Sequence, residues 1–332
     1  MTHSIHRDHE RNSEQRPMAS QSSVAAAKLG GGPNIEAKVA SGATGGNSST
    51  GIGQQTSLAD PQTIDTIVGF IRRSSGIEIG SDHGYLVVSR LDPVAKHFGL
   101  DGLGELAAQL RTGGPSELKA AVVDAMTTNE TSFFRNKDVF DAAVTHIIPA
   151  MLDDRDGDQS LTIWCAACSS GQEVYSLAIA LCESFPNLVQ RKRFRLLASD
   201  LSPRMVRRTR DAVYSSFEVS RGLSPQQLDR HFNRQGRDWV ANEPLRRMVE
   251  TRQLNLLAPW KSVPQCDLVL MRNVLIYFGS GVKHQILERL REQVLTPSGV
   301  VLLGATESIL PAGCGYVPVR HNRSLFYQMD PQ

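Results

Sequence analysis

No stretch of the 332 residues approaches about 18 consecutive apolar side chains, so none has the length to span a bilayer. The first residues are polar and His-rich and lack an apolar core, which argues against a secretory signal. An excess of one charge is also missing. Lys and Arg number 36 against 34 Asp and Glu, a formal net charge of +2, and no long Lys/Arg run occurs. That excludes a nucleic-acid grip built on bulk electrostatics. Cysteine is scarce and odd in number, five in all, which fits a reducing compartment better than a disulfide framework. The expectation is a soluble, cytoplasmic protein of one large domain or two modest ones.

Aromatic residues are absent until Phe70. Residues 1–57 hold 8 Gly, 9 Ser and 7 Ala, and cannot bury enough apolar surface to offset the entropy of ordering them. They read as a disordered tail. His3, His6 and His9 share a spacing that suits a metal, but no Cys or apolar face accompanies them, and the unstructured reading is favoured.

Beyond the tail the chain is patterned. Ile64, Ile67, Val68 and Ile71 form one apolar helical face, with Asp60-Pro61 as N-cap and first helical residue. Tyr85–Phe98, Leu103–Leu110 and Leu118–Met126 read as further helices between glycine breaks. Residues 58–126 thus make a small helical domain, with 6 basic and 9 acidic residues. From Ser160 short β-rich runs alternate with helices: strands at Leu161–Cys165, Phe194–Ala198, Cys266–Met271 and Gly299–Gly304, and helices at Gln172–Phe185, from Ser202-Pro203, and at Lys283–Val294. This alternation predicts an α/β fold with a doubly wound, mostly parallel sheet. Residues 215–253 break the rhythm. They read as a small inserted β-subdomain, with a helix at Ser224–Phe232 and a hairpin pairing Trp239-Val240 with Met248-Val249-Glu250.

Ligands of doubly wound sheets bind beyond the carboxyl ends of the strands, where strand order reverses. Three segments arrive there. The turn Ala166-Ala-Cys-Ser-Ser-Gly171 has small residues that admit a ligand to the backbone, and Glu173 comes directly after it. No G-x-G-x-x-G and no phosphate-binding Lys-Ser/Thr is present, which disfavours a dinucleotide or nucleoside triphosphate. Asp200 ends the second strand and suits the two hydroxyls of a ribose; a helix-capping role beside Ser202 is the plainer alternative. Met271-Arg272-Asn273 ends the third strand, with Tyr277-Phe278 close behind. Arg and Asn together suit a carboxylate and a polar ligand edge. Cys165-x-x-Cys168 has a redox spacing but no thioredoxin-like context, so packing of small residues is favoured over thiol chemistry. Arg204, Arg207, Arg208 and Arg210 read as a solvated face able to meet an acidic partner.

Met126-Thr-Thr-Asn-Glu-Thr-Ser-Phe-Phe-Arg135, Ala166-Ala-Cys-Ser-Ser-Gly-Gln-Glu-Val-Tyr-Ser176, Ala198-Ser-Asp200, Asn255-Leu-Leu257 and Arg272-Asn-Val-Leu-Ile-Tyr-Phe278 together resemble the chemotaxis receptor methyltransferases, the CheR-type protein-glutamate O-methyltransferases. The resemblance runs in order from about Ile64 to Tyr327. It implies a class I, Rossmann-like methyltransferase domain over 127–330, behind the helical domain. It also implies S-adenosyl-L-methionine as cofactor, with S-adenosyl-L-homocysteine as product. By the same resemblance Asn129, Thr131 and Arg135 fold over the methionine end, and Glu173 is the acid after the glycine turn. Asp200 takes the ribose, Asn255 and Leu256 flank the adenine, Met271 and Arg272 contact the cofactor, and Tyr277 lies near the transferring methyl. Arg135 and Tyr277 are the catalytic candidates; no metal is implied. Three departures stand out: Gln172 beside Glu173, Thr296-Pro-Ser-Gly299 where a Pro-Gly-Gly turn is usual, and a helical domain that is net acidic.

The implied activity is methylation of glutamate side chains in the cytoplasmic helical bundle of chemoreceptors, the methyl-accepting chemotaxis proteins, for sensory adaptation. A monomer without nucleic-acid or membrane insertion is expected. Two alternatives stay open: a non-catalytic regulator that keeps the cofactor pocket, and a methyltransferase of another protein or a small molecule.

Overall fold

Asp60 accepts a hydrogen bond from the Thr63 amide at 3.0 Å and Pro61 takes the first helical position, so the patterned chain begins where its cap lies. The computed structural model describes residues 60–155, 159–308, 315–321 and 323–330. The segment expected to be a disordered tail, with its three histidines, lies outside the described residues. Among the described residues no helix is long and apolar enough to cross a membrane.

Four helices, α1 (Pro61–Ser75), α2 (Gly84–His97), α3 (Gly102–Thr112) and α4 (Ser116–Met126), surround their own core of Ile67, Ile71, Val87, Leu91, Leu106, Leu118 and Val122. α1 stops at Gly76, whose φ of 76° is left-handed. A Cβ there would meet Leu257 and Phe278 at 3.1–3.2 Å, so the glycine also lets this domain approach the next. The chain then forms a helical stretch that hydrophobic periodicity does not announce. It consists of α5 (Lys137–Ala142), a π-helical turn over Ala143–Ile147, and α6 (Ile148–Asp153). Pro149 has no N–H to give to the ladder, which accounts for the irregular turn just before it.

The α/β domain contains β1 (Leu161–Ala166), α7 (Gln172–Ser184), α8 (Pro186–Gln190), β2 (Phe194–Asp200) and α9 (Pro203–Asp211). After these come β3 (Val213–Ser215), α10 (Ser216–Ser220), α11 (Pro225–His231), β4 (Phe232–Gln235), β5 (Asp238–Ala241), α12 (Glu243–Met248) and β6 (Val249–Gln253). The chain ends with β7 (Cys266–Met271), α13 (Ser280–Arg289), β8 (Leu295–Leu303), β9 (Tyr316–His321) and β10 (Ser324–Met329). One sheet has the order β6-β2-β1-β7-β8-β10-β9. Its first five strands run parallel, β10 runs antiparallel to β8, and β9 runs antiparallel to β10. The doubly wound reading holds.

β1 is central and alternates. Leu161, Ile163 and Cys165 face a core shared with α7, while Trp164 and Ala166 face a second core containing residues of α13. Strand order reverses at β1, since the chain passes from β1 to β2 on one side and later returns through β7 on the other. The crevice there is the expected ligand position.

Four local expectations need correction. Trp239 does not pair with the Met248–Glu250 segment. It lies opposite Arg234 of β4 and Tyr214 of β3 in a separate antiparallel sheet of order β3-β5-β4. Val249 instead pairs with Leu196, because Asn242 caps α12 and turns the chain back to the edge of the main sheet. The inserted subdomain therefore starts before 215, at Val213, and the 249–253 end of the expected range belongs to the main sheet. β8 begins at Leu295, four residues before the expected start. Cys266 pairs with Leu295 but Leu268 with Val300, so Thr296–Gly299 is a bulge within the strand. The expected helix over 283–294 starts at Ser280 and closes in a π-helical turn over Leu290–Val294.

Candidate active site

Beyond β1 the chain makes a tight turn in which Ala167, Ser169 and Gly171 all have positive φ. A Cβ at Gly171 would meet Thr209 at 2.9 Å, so only glycine fits there. The turn presents the Ser169 amide to Asp200 Oδ2 at 2.8 Å, and the Ser202 amide reaches Asp200 Oδ1 at 2.9 Å. Asp200 is thus held by two loops at the end of β2, 7% exposed. Burial pushes its carboxyl above the usual carboxylate range, and the two amides work against that shift.

Glu173 occupies the first turn of α7, where the helix dipole favours an acid. Its Oε2 lies 2.6 Å from Arg272 Nη1. Burial raises the Glu173 carboxyl and Arg272 pulls it back down. Arg272 Nη2 also donates to the Arg135 carbonyl at 2.8 Å and to Asn136 Oδ1 at 3.0 Å, and the guanidinium lies 5.7 Å from the centre of the Phe140 ring. From the sequence Arg272 is expected to serve a ligand. Most of its donors are instead spent on the protein, with Nε left unpartnered among the described residues.

The linker after α4 is pinned from both sides. Ser169 Oγ donates to the Asn129 carbonyl at 2.9 Å, and the Phe134 amide donates to Ser176 Oγ at 2.8 Å. Phe133 is buried edge-on against Tyr214 and Phe232 of the small sheet. Arg135 keeps a freer guanidinium, whose one polar contact among the described residues is the Glu130 carbonyl at 3.4 Å. Past β6, Asn255 uses its amide structurally: Nδ2 donates to the Ser74 carbonyl at 2.7 Å and Oδ1 accepts from the Leu257 amide at 2.9 Å.

A cleft at the carboxyl ends of β1, β2 and β7 brings together Asn129, Thr131, Arg135, Glu173, Asp200, Asn255, Leu256, Arg272 and Tyr277. Met271 does not line it; its side chain is fully buried in the core beside Trp164 and Leu303. Successive strand residues point to opposite faces, and the phase at the end of β7 turns Met271 inward, which residue type alone does not give. The cleft also has apolar walls that the sequence reading missed, Leu201, Leu254 and Val274, and two groups from the helical domain, Ser75 and Ile77. No residue-type signal marks Ile77. It reaches the cleft because it bridges Phe278 while the Glu78 amide donates to the Tyr277 carbonyl at 2.9 Å.

Cys165 and Cys168 are buried and burial pushes both thiols up, away from the reactive thiolate. Of the arginine run, Arg204 pairs with Asp124 at 3.3 Å, Arg208 with Glu218 at 2.7 Å, and Arg210 bonds Thr251. The run is largely spent within the chain. Among the described residues no cluster of His, Cys, Asp and Glu has the form of a metal site.

The donor set of the cleft suits a nucleoside joined to an amino acid. Asp200 offers acceptors for vicinal hydroxyls, Leu201, Leu254 and Leu256 offer an apolar slot, and Glu173 with Arg135 offers both charges to an ammonium and a carboxylate. The model of the CheR methyltransferase all-alpha domain matches residues 62–127, and that of the CheR methyltransferase SAM binding domain matches 129–315. The chain belongs to the CheR methyltransferase family. Chemotaxis protein methyltransferase 1 of Pseudomonas aeruginosa is 40% identical over 264 residues, covering 78% of this chain and 94% of that protein. Chemotaxis protein methyltransferase Cher2 of Pseudomonas putida is 38% identical over 262 residues, with the same coverage of both chains. Chemotaxis protein methyltransferase 1 of Vibrio cholerae is 35% identical over 267 residues, again covering 78% and 94%. The family boundary at 127–129 coincides with the end of α4, and the family's cofactor is S-adenosylmethionine.

Proposed function

We propose that the protein transfers methyl groups from S-adenosylmethionine to glutamate side chains of a chemoreceptor's cytoplasmic helical bundle, forming glutamate methyl esters. The observation that carries this reading is the convergence of Asp200, the Glu173–Arg272 pair, Arg135 and Tyr277 on one cleft in a chain of this family. When bound, the cofactor supplies an activated methyl group on a sulfonium with a neutral leaving group. A glutamate side chain titrates near ~4.3 and is already ionised at neutral pH, so the protein has no proton to remove. Its task is alignment, for which proximity alone supplies about 7–11 kcal/mol.

In this reading Asp200 accepts from the ribose hydroxyls, and Asn129 and Thr131 close over the methionine end. Leu256 packs beside the adenine, with Asn255 fixing the loop that carries it. Glu173 balances Arg272 and leaves Arg135 as the mobile cation for a carboxylate, of cofactor or substrate. Tyr277, in the turn after β7, borders the space the incoming carboxylate must enter. The family's relatives named as chemotaxis protein methyltransferases support the substrate class.

The test is transfer of labelled methyl from S-adenosylmethionine to purified receptor cytoplasmic fragments, with mapping of the modified residues. Base-labile label on glutamates is the expected result. Cofactor binding without transfer to any receptor would mean another substrate or a non-catalytic regulator, and absence of cofactor binding would overturn the reading.

A further inference from the structure

Glu307 lies just past β8 and is 8% exposed, yet among the described residues no Lys, Arg or His side chain pairs with it. A buried carboxylate without a counter-ion is costly unless backbone donors compensate it. Here they do. Oε2 accepts from the Asn273 amide at 2.5 Å and from the Gly304 amide at 2.7 Å, while Oε1 accepts from the Ile276 amide at 3.3 Å. Two of these three amides belong to the turn that carries Tyr277. Asn273 sits at a left-handed φ of 57°, a conformation that a non-glycine residue holds only when its surroundings impose it. The fit is close: a Cβ at Gly304 would meet Glu307 Oε2 at 2.6 Å and Asn273 Nδ2 at 2.7 Å.

We infer that Glu307 is a positioning residue for the cofactor cleft, acting through the Asn273–Tyr277 turn. It is not among the groups that line the cleft, whereas Asn273, Val274 and Tyr277 are. The turn is held at three points. Arg272 ties its start to Glu173, the Glu78 amide holds the Tyr277 carbonyl, and Glu307 holds the middle. The first two draw on the α7 helix and the helical domain. Glu307 ties the turn to the end of β8, the strand that pairs with β7. A glutamine cannot replace it. With its oxygen kept for Asn273 and Gly304, its NH2 would face the Ile276 N–H, donor against donor.

The experiment uses the full chain and needs no methyl acceptor, so its result is independent of the substrate proposed above. Amide hydrogen exchange is measured alongside S-adenosylmethionine affinity by calorimetry. In Glu307→Gln the Ile276 amide is expected to exchange about tenfold faster, with β1 and β2 at parent rates. Affinity for the cofactor is expected to fall about tenfold, because the turn that borders it is looser. Glu307→Asp keeps the charge on a shorter arm, and serves if the Gln variant does not fold; the same local change in smaller measure is expected. Parent exchange rates at Ile276 in either folded variant would overturn the inference. So would a uniform rise across the sheet, or faster local exchange with unchanged affinity, since both describe a stabilising residue that does not position the cleft.

Discussion

Arg272 Nη1 meets Glu173 Oε2 at 2.6 Å, joining the residue just past β7 to the first turn of α7 with side chains 1% and 14% exposed. Such a pair is weak proof of net stabilisation, because removing two charges from water offsets most of their attraction. Breaking it from one side is another matter. Glu173→Ala leaves a buried guanidinium with, among the described residues, the Arg135 carbonyl and Asn136 Oδ1 as its remaining acceptors. Urea unfolding of that variant should show a loss of about 3–5 kcal/mol. Combining it with Arg272→Met should recover a large part, since the uncompensated charge is then gone. A single variant as stable as the parent would mean that the pair is solvated.

Asp200 gives a pH dependence whose sign comes from its raised carboxyl. Folding raises its pKa above the unfolded 3.8, so between the two values the native state holds more protons. The neutral form's stability is present below that window and is lost as pH climbs through it. Relative to Asp200→Asn, the parent should therefore lose stability with rising pH across the window and run parallel above it. Cofactor affinity should move the opposite way, rising with pH as the carboxylate forms to accept the hydroxyls. Thermal melts and calorimetry in a pH series check both. A stability difference that grows with pH would reverse the sign and remove burial as the dominant cause.

Much of this is legible in the sequence because it rests on local chemistry. Asp60-Pro61 and Ser202-Pro203 announce helix starts, and both cap as expected: Ser202 Oγ accepts from the Met205 amide at 3.1 Å. Strand ends also announce themselves, which is why Asp200 and Arg272 stand out. Partnership is what fails. Val249 alternates as well as any hairpin strand, yet pairs with Leu196, some fifty positions earlier, and periodicity carries no record of which strand lies alongside. Arg272 is legible as polar at a strand end but not as spent on Glu173, and Asn255 is legible as a contact but not as a tether to Ser74. Residue type shows what a side chain can do; its neighbours decide how much of that is left for a ligand.

The Asn255 tether predicts a small, separable effect. Asn255→Ala removes the bond to the Ser74 carbonyl and the turn bond to the Leu257 amide, worth about 0.5–1.5 kcal/mol each. Loss of stability of this order, with cofactor affinity lowered through Leu256, is the expected outcome in paired melts and calorimetry. Unchanged affinity in the destabilised variant would confine Asn255 to joining the helical domain to the sheet.

Arg135→Ala and Tyr277→Phe separate catalysis from architecture. Among the described residues Arg135 makes one long contact, 3.4 Å to the Glu130 carbonyl, so its loss leaves little unpaired and the chain should melt as the parent does. Transfer should nonetheless slow more than in Tyr277→Phe, because the guanidinium is the cation in the cleft least committed to the protein. Tyr277→Phe keeps the ring and loses only the hydroxyl. If that hydroxyl acts on the transition state alone, kcat and kcat/KM fall together; if the ring's packing is what matters, neither changes. Both variants are compared with the parent at saturating cofactor on a receptor fragment. Across pH 6 to 8 the parent rate should stay flat, since a glutamate acceptor titrating near ~4.3 is ionised throughout. A steep rise over that range would identify an amine or thiol acceptor in place of glutamate.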